Sequence, residues 1–294
     1  MILVFGKYGQ VARSLQNFFN DSEATFLSTD EADFSNPPSL SAVLDKYNPQ
    51  IVINTSAYTA VDKAESEKER ALLVNCESPK KIARWCRQHD AILIHYSTDY
   101  VYPGTGQQAW LETDGTGPLN WYGETKLKGE QAIQESSCRY FILRTSWIYS
   151  SLGNNFVKTM LKLGAEREEL KVVSDQFGAP TYAEDLARAT KKMVQALQMS
   201  SHPSGVYHIA GAGVTNWHEF AVMVFNEARS LGVPLKVKEV KAILTAEYPT
   251  PAKRPLNSRL NQDKLKKEFG IELPNWKISL KSCLRRIVDE NHRI

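Results

Sequence analysis

Tyr122 and Lys126 stand four residues apart in the run Asn120-Trp121-Tyr122-Gly123-Glu124-Thr125-Lys126. On a helix that spacing puts both side chains on one face, where they can converge on one point. A phenol, with an ordinary pKa of about 10, is a poor acid or base near neutrality, and a neighbouring ammonium group favours the phenolate and lowers that value. The pair is therefore a candidate proton donor with its tuning cation. The same spacing also arises by chance on solvated helix faces that carry a tyrosine anchor, so the surroundings must decide. One neighbour is the run Ser97-Thr98-Asp99-Tyr100-Val101-Tyr102, close behind the apolar run Ala91 to His95. In a doubly wound sheet, ligands bind outside the carboxyl ends of the strands, which puts the Thr98 hydroxyl at the mouth of such a site.

A second constellation opens the chain. The apolar run Ile2-Leu3-Val4-Phe5 leads into Gly6-Lys7-Tyr8-Gly9-Gln10-Val11-Ala12. In a strand-to-helix turn of this kind Gly6 permits the tight bend, Gly9 lets a pyrophosphate approach the backbone, and small Ala12 lets helix and strand pack closely. Exposed N–H groups of the helix start, at Gln10 and Val11, then face the phosphates. A purely structural turn would look similar; its place at the head of an alternating pattern favours the dinucleotide reading. The next strand should end at the residue that reads the adenosine ribose, here within Ser28-Thr29-Asp30, with Ser28 the candidate. A shift of one residue changes which side chain faces the ribose, so the pattern fits NADH and NADPH alike. Asp33 and Phe34 are placed for the adenine edge, and a turn or N-cap role for Asp33 fits its spacing equally well.

These residues need a scaffold, and the first half of the chain supplies the pattern for one. Apolar runs at Ile2 to Phe5, Thr25 to Ser28, Ile51 to Asn54, Ala91 to His95 and Phe141 to Thr145 alternate with helical stretches at Gln10 to Phe19, Ser39 to Tyr47, a long one within Asp62 to Gln88, and Tyr122 to Glu135. That rhythm predicts an α/β fold, a Rossmann-type doubly wound parallel sheet. After Arg144 it loosens, with helices predicted at Asn155 to Leu163, Ala183 to Leu197 and Asn216 to Leu231 and a strand at Val206 to Ala210. The expected division is a dinucleotide-binding domain over 1–146 plus about 177–205, and a smaller α/β substrate-binding domain over about 147–176 plus 206–294.

Composition narrows the function class. The 36 basic and 33 acidic residues balance to a formal charge of +3, which gives no bulk attraction for nucleic acid. Cys76, Cys86, Cys138 and Cys283 lack CxxC spacing and a histidine at zinc-ligand spacing, so they read as free buried thiols and no metal site is expected from them. The opening apolar run is too short for a signal-peptide core, and no window approaches the roughly 18 apolar residues that cross a bilayer. A cytoplasmic enzyme without membrane contact is the expectation.

The chain resembles the dTDP-4-dehydrorhamnose reductase family of the extended short-chain dehydrogenase/reductases. The likeness runs nearly end to end. It includes Gly6 to Val11, the run Asn54-Thr55-Ser56-Ala57-Tyr58-Thr59-Ala60-Val61-Asp62-Lys63-Ala64-Glu65, Ser97 to Tyr102, and Pro118 to Lys126. It continues through Arg144-Thr145-Ser146-Trp147, Gly153 to Met160, Asp175-Gln176-Phe177-Gly178-Ala179-Pro180-Thr181, and Arg254-Pro255-Leu256-Asn257-Ser258-Arg259-Leu260. The resemblance implies reduction of the C4 ketone of dTDP-4-dehydro-L-rhamnose by NADPH or NADH. In that reading Tyr122 protonates the ketone oxygen, Lys126 tunes Tyr122 and holds the nicotinamide ribose, and Thr98 orients the carbonyl. Ala57, Tyr58 and Thr59 would line the cofactor, and Thr98, Asp99 and Trp147 the sugar; ordinary core packing accounts equally well for a lone Trp147. An arginine fork suits a diphosphate, so Arg254 or Arg259 is expected to clamp the substrate's pyrophosphate.

Two departures refine the picture. The related 4,6-dehydratases carry Asp-Glu after the threonine, whereas here Asp99 is followed by Tyr100, which favours ketone reduction over elimination. Some relatives hold Mg²⁺ with glutamates where two subunits meet. Glu184 matches one such position, but Ser14 and Arg286 stand at the others, and an arginine repels a hard cation. Mg²⁺ is therefore not expected, nor is a homodimer held by it; a homodimer of another kind stays open. A ketoreductase for another dTDP-6-deoxyhexose and a non-catalytic NADP-binding regulatory subunit are the competing readings. The intact Thr98, Tyr122 and Lys126 weigh against the second.

Overall fold

Near-continuous apolar runs form strands that are covered on both faces, and the opening runs of this chain do so. In the computed structural model, which describes residues 1–291, they become β1 (Ile2–Phe5), β2 (Ala24–Leu27) and β3 (Ile51–Asn54), followed by β4 (Ile92–Thr98) and β5 (Arg139–Thr145). Short strands β6 (Ile148–Tyr149), β7 (Glu169–Val173), β8 (Phe177–Gly178) and β9 (Thr181–Tyr182) come next, then β10 (Gly205–His208), β11 (Thr215–Asn216) and β12 (Glu239–Ile243). Helices α1 (Gln10–Leu15), α2 (Leu40–Tyr47), α3 (Val61–Ala64), α4 (Lys68–Leu72), α5 (Ser78–Gln88) and α6 (Trp121–Glu135) fill the first half. The second half carries α7 (Phe156–Glu166), α8 (Ala183–Met199), α9 (Trp217–Ser230), α10 (Asp263–Phe269) and α11 (Trp276–Asn291).

Six strands make one parallel sheet in the order β10-β5-β4-β3-β1-β2. The order turns back at β1, which has β2 on one side and β3 on the other, and ligands gather at the carboxyl ends of strands at such a switch point. Alternate residues of β1 enter opposite cores. Ile2 and Val4 join Leu186 and Met193 of α8, whereas Leu3 and Phe5 join Leu44 of α2 and Ile82 of α5. A third core lies apart from these two and gathers Tyr149, Val157, Phe220, Val224 and Leu280. The expected Rossmann-type doubly wound sheet is present.

Two expectations need correction, and a third gains a detail. The strand near residue 206, assigned to the second domain, is the sixth strand of the main sheet, with Gly205 opposite Phe141. Its apolar residues are covered there: Phe269 of α10 meets both Phe141 and Tyr207 edge-on, and Lys264 Nζ donates to the Val206 carbonyl at 2.8 Å. The first helix, expected through Phe19, stops at Leu15. The long helix expected within 62–88 runs unbroken from Lys68 to Gln88 as α4 and α5, behind the short α3, with Leu73–Glu77 between them wound as a π-turn. Such turns concentrate at functional sites, and this one has an identifiable task. It turns buried Asn75 inward, where Oδ1 accepts from the Tyr58 N–H at 2.8 Å and Nδ2 donates to the Tyr58 carbonyl and to Thr125 Oγ1, both at 3.1 Å. Gly129 of α6 allows the approach, since a Cβ there would stand 2.1 Å from the Asn75 carbonyl oxygen.

Candidate active site

The turn after β1 is stripped of side chains where it must be. Gly6 has φ +95°, and a Cβ on it would stand 2.7 Å from Thr55 Oγ1 at the exit of β3; a Cβ on Gly9 would stand 3.2 Å from the Gly6 carbonyl oxygen. Thr55 Oγ1 itself donates to the Phe5 carbonyl at 2.6 Å, tying the two strand exits together. Above them opens a cleft of about 850 Å³. Gly6, Gly9, Gln10 and Val11 line it from the turn, Asp33 and Phe34 from beyond β2, and Ala57, Tyr58 and Thr59 from beyond β3. The bare backbone of the turn fits the close approach of a pyrophosphate, so these residues fit a dinucleotide.

Three candidates differ in detail. Ser28 does not line the cleft: its buried hydroxyl donates to Glu31 Oε2 at 3.0 Å, and Thr29 takes the expected place. The Asp33 carboxylate accepts from the Ser35 N–H at 2.8 Å and hydroxyl at 2.7 Å, which closes a turn and holds its pKa below the usual range. The Gln10 amide reaches away, its Oε1 accepting from Ser150 Oγ and Asn155 Nδ2, both at 3.0 Å.

The floor of the cleft is built where α6 starts against the exit of β4. Asn120 caps the helix, its Oδ1 accepting from the Gly123 N–H at 2.8 Å while its Nδ2 donates to the Lys253 carbonyl at 2.8 Å. Gly123 has no Cβ to strike the Tyr100 carbonyl oxygen, which would lie only 2.3 Å away. Tyr122 is thereby set edge-on to Tyr100, ring centroids 5.5 Å apart, and lines the cleft together with Thr98 and Asp99. Burial pushes the Tyr122 phenol up to about 12, while a hydrogen bond with the Thr98 hydroxyl pulls it back. Burial likewise pushes the Asp99 carboxyl up to about 6, against the pull of the Ser258 and Thr98 hydroxyls.

Lys126 lies behind this floor. It is 1% exposed, and its Nζ donates to the Tyr96 carbonyl at 2.7 Å and sits 3.3 Å from His95 Nε2. Burial holds the ammonium down to about 8, with Glu130 pulling the other way. The expected lowering of the Tyr122 phenol by this cation is not seen in the resting site, where burial of the ring dominates and Nζ donates to β4. Glu130 is in turn gripped by Arg144 of β5 through two nitrogens, at 3.0 Å and 2.5 Å, and accepts from Ser97 Oγ at 2.5 Å. That buried pair fixes α6 on the sheet.

Trp147 closes the far side. Its φ is +49°, a left-handed conformation that is costly for a bulky residue. It is held by stacking on Trp217, centroids 3.8 Å apart, and by Gly178, where a Cβ would come 3.0 Å from the indole. Trp217 lines both the first cleft and a second of about 1030 Å³. Arg254 lines the second cleft rather than the first; its Nη2 donates to Asp62 Oδ2 at 2.6 Å, and its buried Nη1 has no partner among the described residues. Arg259 lines neither, lying over the Phe177 ring at 4.7 Å and donating to Asn257 Oδ1 at 2.9 Å. Asn75, His95 and Trp217 carried no spacing signal that would have singled them out. Where the resemblance led to the question of a metal, Arg286 pairs with Glu184 and also donates to Glu290 at 2.9 Å.

The family sequence model described as RmlD substrate binding domain matches residues 1–288. A protein of Escherichia coli strain K12 named dTDP-4-dehydrorhamnose reductase is 48% identical over 291 residues, covering 97% of each chain. The chain belongs to the dTDP-4-dehydrorhamnose reductase family. Two solved structures of this reductase family superpose closely. The Clostridium acetobutylicum protein is 36% identical, with a TM-score of 0.90 over 98% of this chain and 99% of that one. The Bacillus anthracis reductase, solved in complex with NADP, is 34% identical, with a TM-score of 0.89 over 97% of this chain and 98% of its own.

Proposed function

We propose that the chain reduces the C4 ketone of dTDP-4-dehydro-L-rhamnose to the alcohol of dTDP-L-rhamnose, using NADPH or NADH. The observation that carries this reading is the phenol of Tyr122 on the floor of a cleft whose other end is the bare Gly6–Gly9 turn. The reduced nicotinamide supplies the hydride when bound. Tyr122 delivers the matching proton to the ketone oxygen, so one hydride and one proton together complete the alcohol. A phenol held near 12 is in its acid form at neutral pH, as a donor must be. Thr98 orients the ketone oxygen toward that proton. Asp99 and Trp147 bound the sugar, Lys126 supports the phenolate that Tyr122 leaves behind, and Gly6, Gly9, Gln10, Val11, Asp33, Phe34, Ala57, Tyr58 and Thr59 hold the dinucleotide.

The second cleft accounts for the rest of the substrate. Arg254 brings a half-buried guanidinium with one nitrogen anchored on Asp62 and a buried one left to donate, a suitable partner for the diphosphate. We propose a matching division of labour, with the parallel sheet as the dinucleotide-binding unit and the third core as the framework of the sugar-nucleotide unit. The product would supply a bacterial surface polysaccharide such as lipopolysaccharide.

The test follows loss of reduced-nicotinamide absorbance with purified protein, each coenzyme in turn, and dTDP-4-dehydrorhamnose beside other dTDP-4-keto sugars. Turnover is expected with the rhamnose precursor, and Tyr122→Phe should lower kcat by a factor on the order of 10² or more. Equal turnover by that variant would remove Tyr122 as the donor. Faster turnover of another sugar would reassign the substrate.

A further inference from the structure

Lys126 has a buried neighbour that proton delivery does not use. His95, wholly enclosed in the middle of β4, has Asn54 Nδ2 3.0 Å from its Nδ1 and Lys126 Nζ 3.3 Å from its Nε2. The orientation of the Asn54 amide is fixed from its other end, because Oδ1 accepts from the Ser56 N–H at 2.9 Å. The end turned toward the imidazole is therefore NH₂, which can only donate. Nδ1 must meet it with a lone pair. Burial and the nearby Lys126 hold the imidazole neutral, well below its ordinary pKa, and a neutral ring without a proton on Nδ1 carries it on Nε2. That N–H points at the lysine. An ammonium group has three donors and no acceptor, so only the free amine can receive this hydrogen bond.

We propose that His95 is a positioning residue for Lys126: fixed by Asn54 with its proton on Nε2, it aims that proton at Nζ and so favours the free amine over the ammonium. The remaining groups around Nζ do not cancel this. The Tyr96 carbonyl accepts an Nζ–H in either form. From β3 comes only uncharged Asn54. Glu130, one turn further along α6, draws Lys126 toward the ammonium, but its carboxylate is already held by Arg144 of β5 and by Ser97. Lys126, held down to about 8, then loses its charge as pH rises through that value, and the support proposed above for the Tyr122 phenolate is withdrawn with it. The rate should fall on the alkaline side for that reason.

This inference rests on the pairing of Lys126 with Tyr122 proposed above, and the experiments separate the two. In the wild-type enzyme labelled with ¹⁵N-histidine, the His95 signals should be those of a neutral ring protonated at Nε2; a proton on Nδ1 overturns the inference whatever the reaction. His95→Gln replaces the donor with an amide whose oxygen can turn to the ammonium. It should move the alkaline limb of kcat/KM upward by about one pH unit. A limb that stays in place while the variant turns over overturns the role of His95. If Lys126→Met keeps full turnover and an unchanged profile, the pairing with Tyr122 fails, while the labelling result still decides the tautomer. Should His95→Gln not fold, the labelling experiment decides alone.

Discussion

Each functional side chain in the clefts is held by a second group that limits what it can do. Arg254 illustrates this, because its bond to Asp62 spends one nitrogen and aims the other. Charge-assisted bonds of this kind contribute roughly 1.5–3 kcal/mol. Arg254→Ala should therefore raise KM for the sugar nucleotide about tenfold or more with kcat little altered, read from initial rates at saturating coenzyme. An unchanged KM would take Arg254 out of the site. At this scale the sequence was legible in placement where a residue type is itself a reagent: Tyr122 and Thr98, expected beside one another, both line the first cleft. It was less so for Ser28, because one position at a strand end exchanges the faces of the sheet, and Thr29 is the residue that reaches the cleft. His95 gave no signal at all, since its importance lies in what Asn54 and Ser56 do to it from another strand.

Between elements, the π-turn at Leu73–Glu77 connects the cleft wall to the helix that carries Tyr122. Asn75 binds the Tyr58 backbone on one side and Thr125 of α6 on the other, and Gly129 makes room for its carbonyl. Gly129→Ala should push this turn away. Overpacking of that kind costs about 1–3 kcal/mol, so Tm should fall and the affinity for NADPH should weaken together, measured by thermal unfolding with and without coenzyme. A lowered Tm with unchanged NADPH affinity would mean that the turn does not position Tyr58. Apolar periodicity located the helices on either side. It could not register the turn, because Asn75 is a polar residue at a buried position and carries no apolar signal.

For the molecule as a whole, the chain crosses repeatedly between the sheet and the third core, which is why the boundary expected near residue 206 fell within a strand. The Glu184–Arg286 pair joins α8, which covers the sheet, to α11, which covers that third core. With a guanidinium already neutralising Glu184, prolonged dialysis against a chelator should leave turnover and native mass unchanged. Loss of either, restored by added Mg²⁺, would return the ion to this site. The stack of Trp147 on Trp217 stands at the seam where the two clefts meet. If the sugar lies beside Trp147 as proposed, its arrival next to two indoles stacked at 3.8 Å should change the intrinsic fluorescence, which would serve as an optical gauge of occupancy.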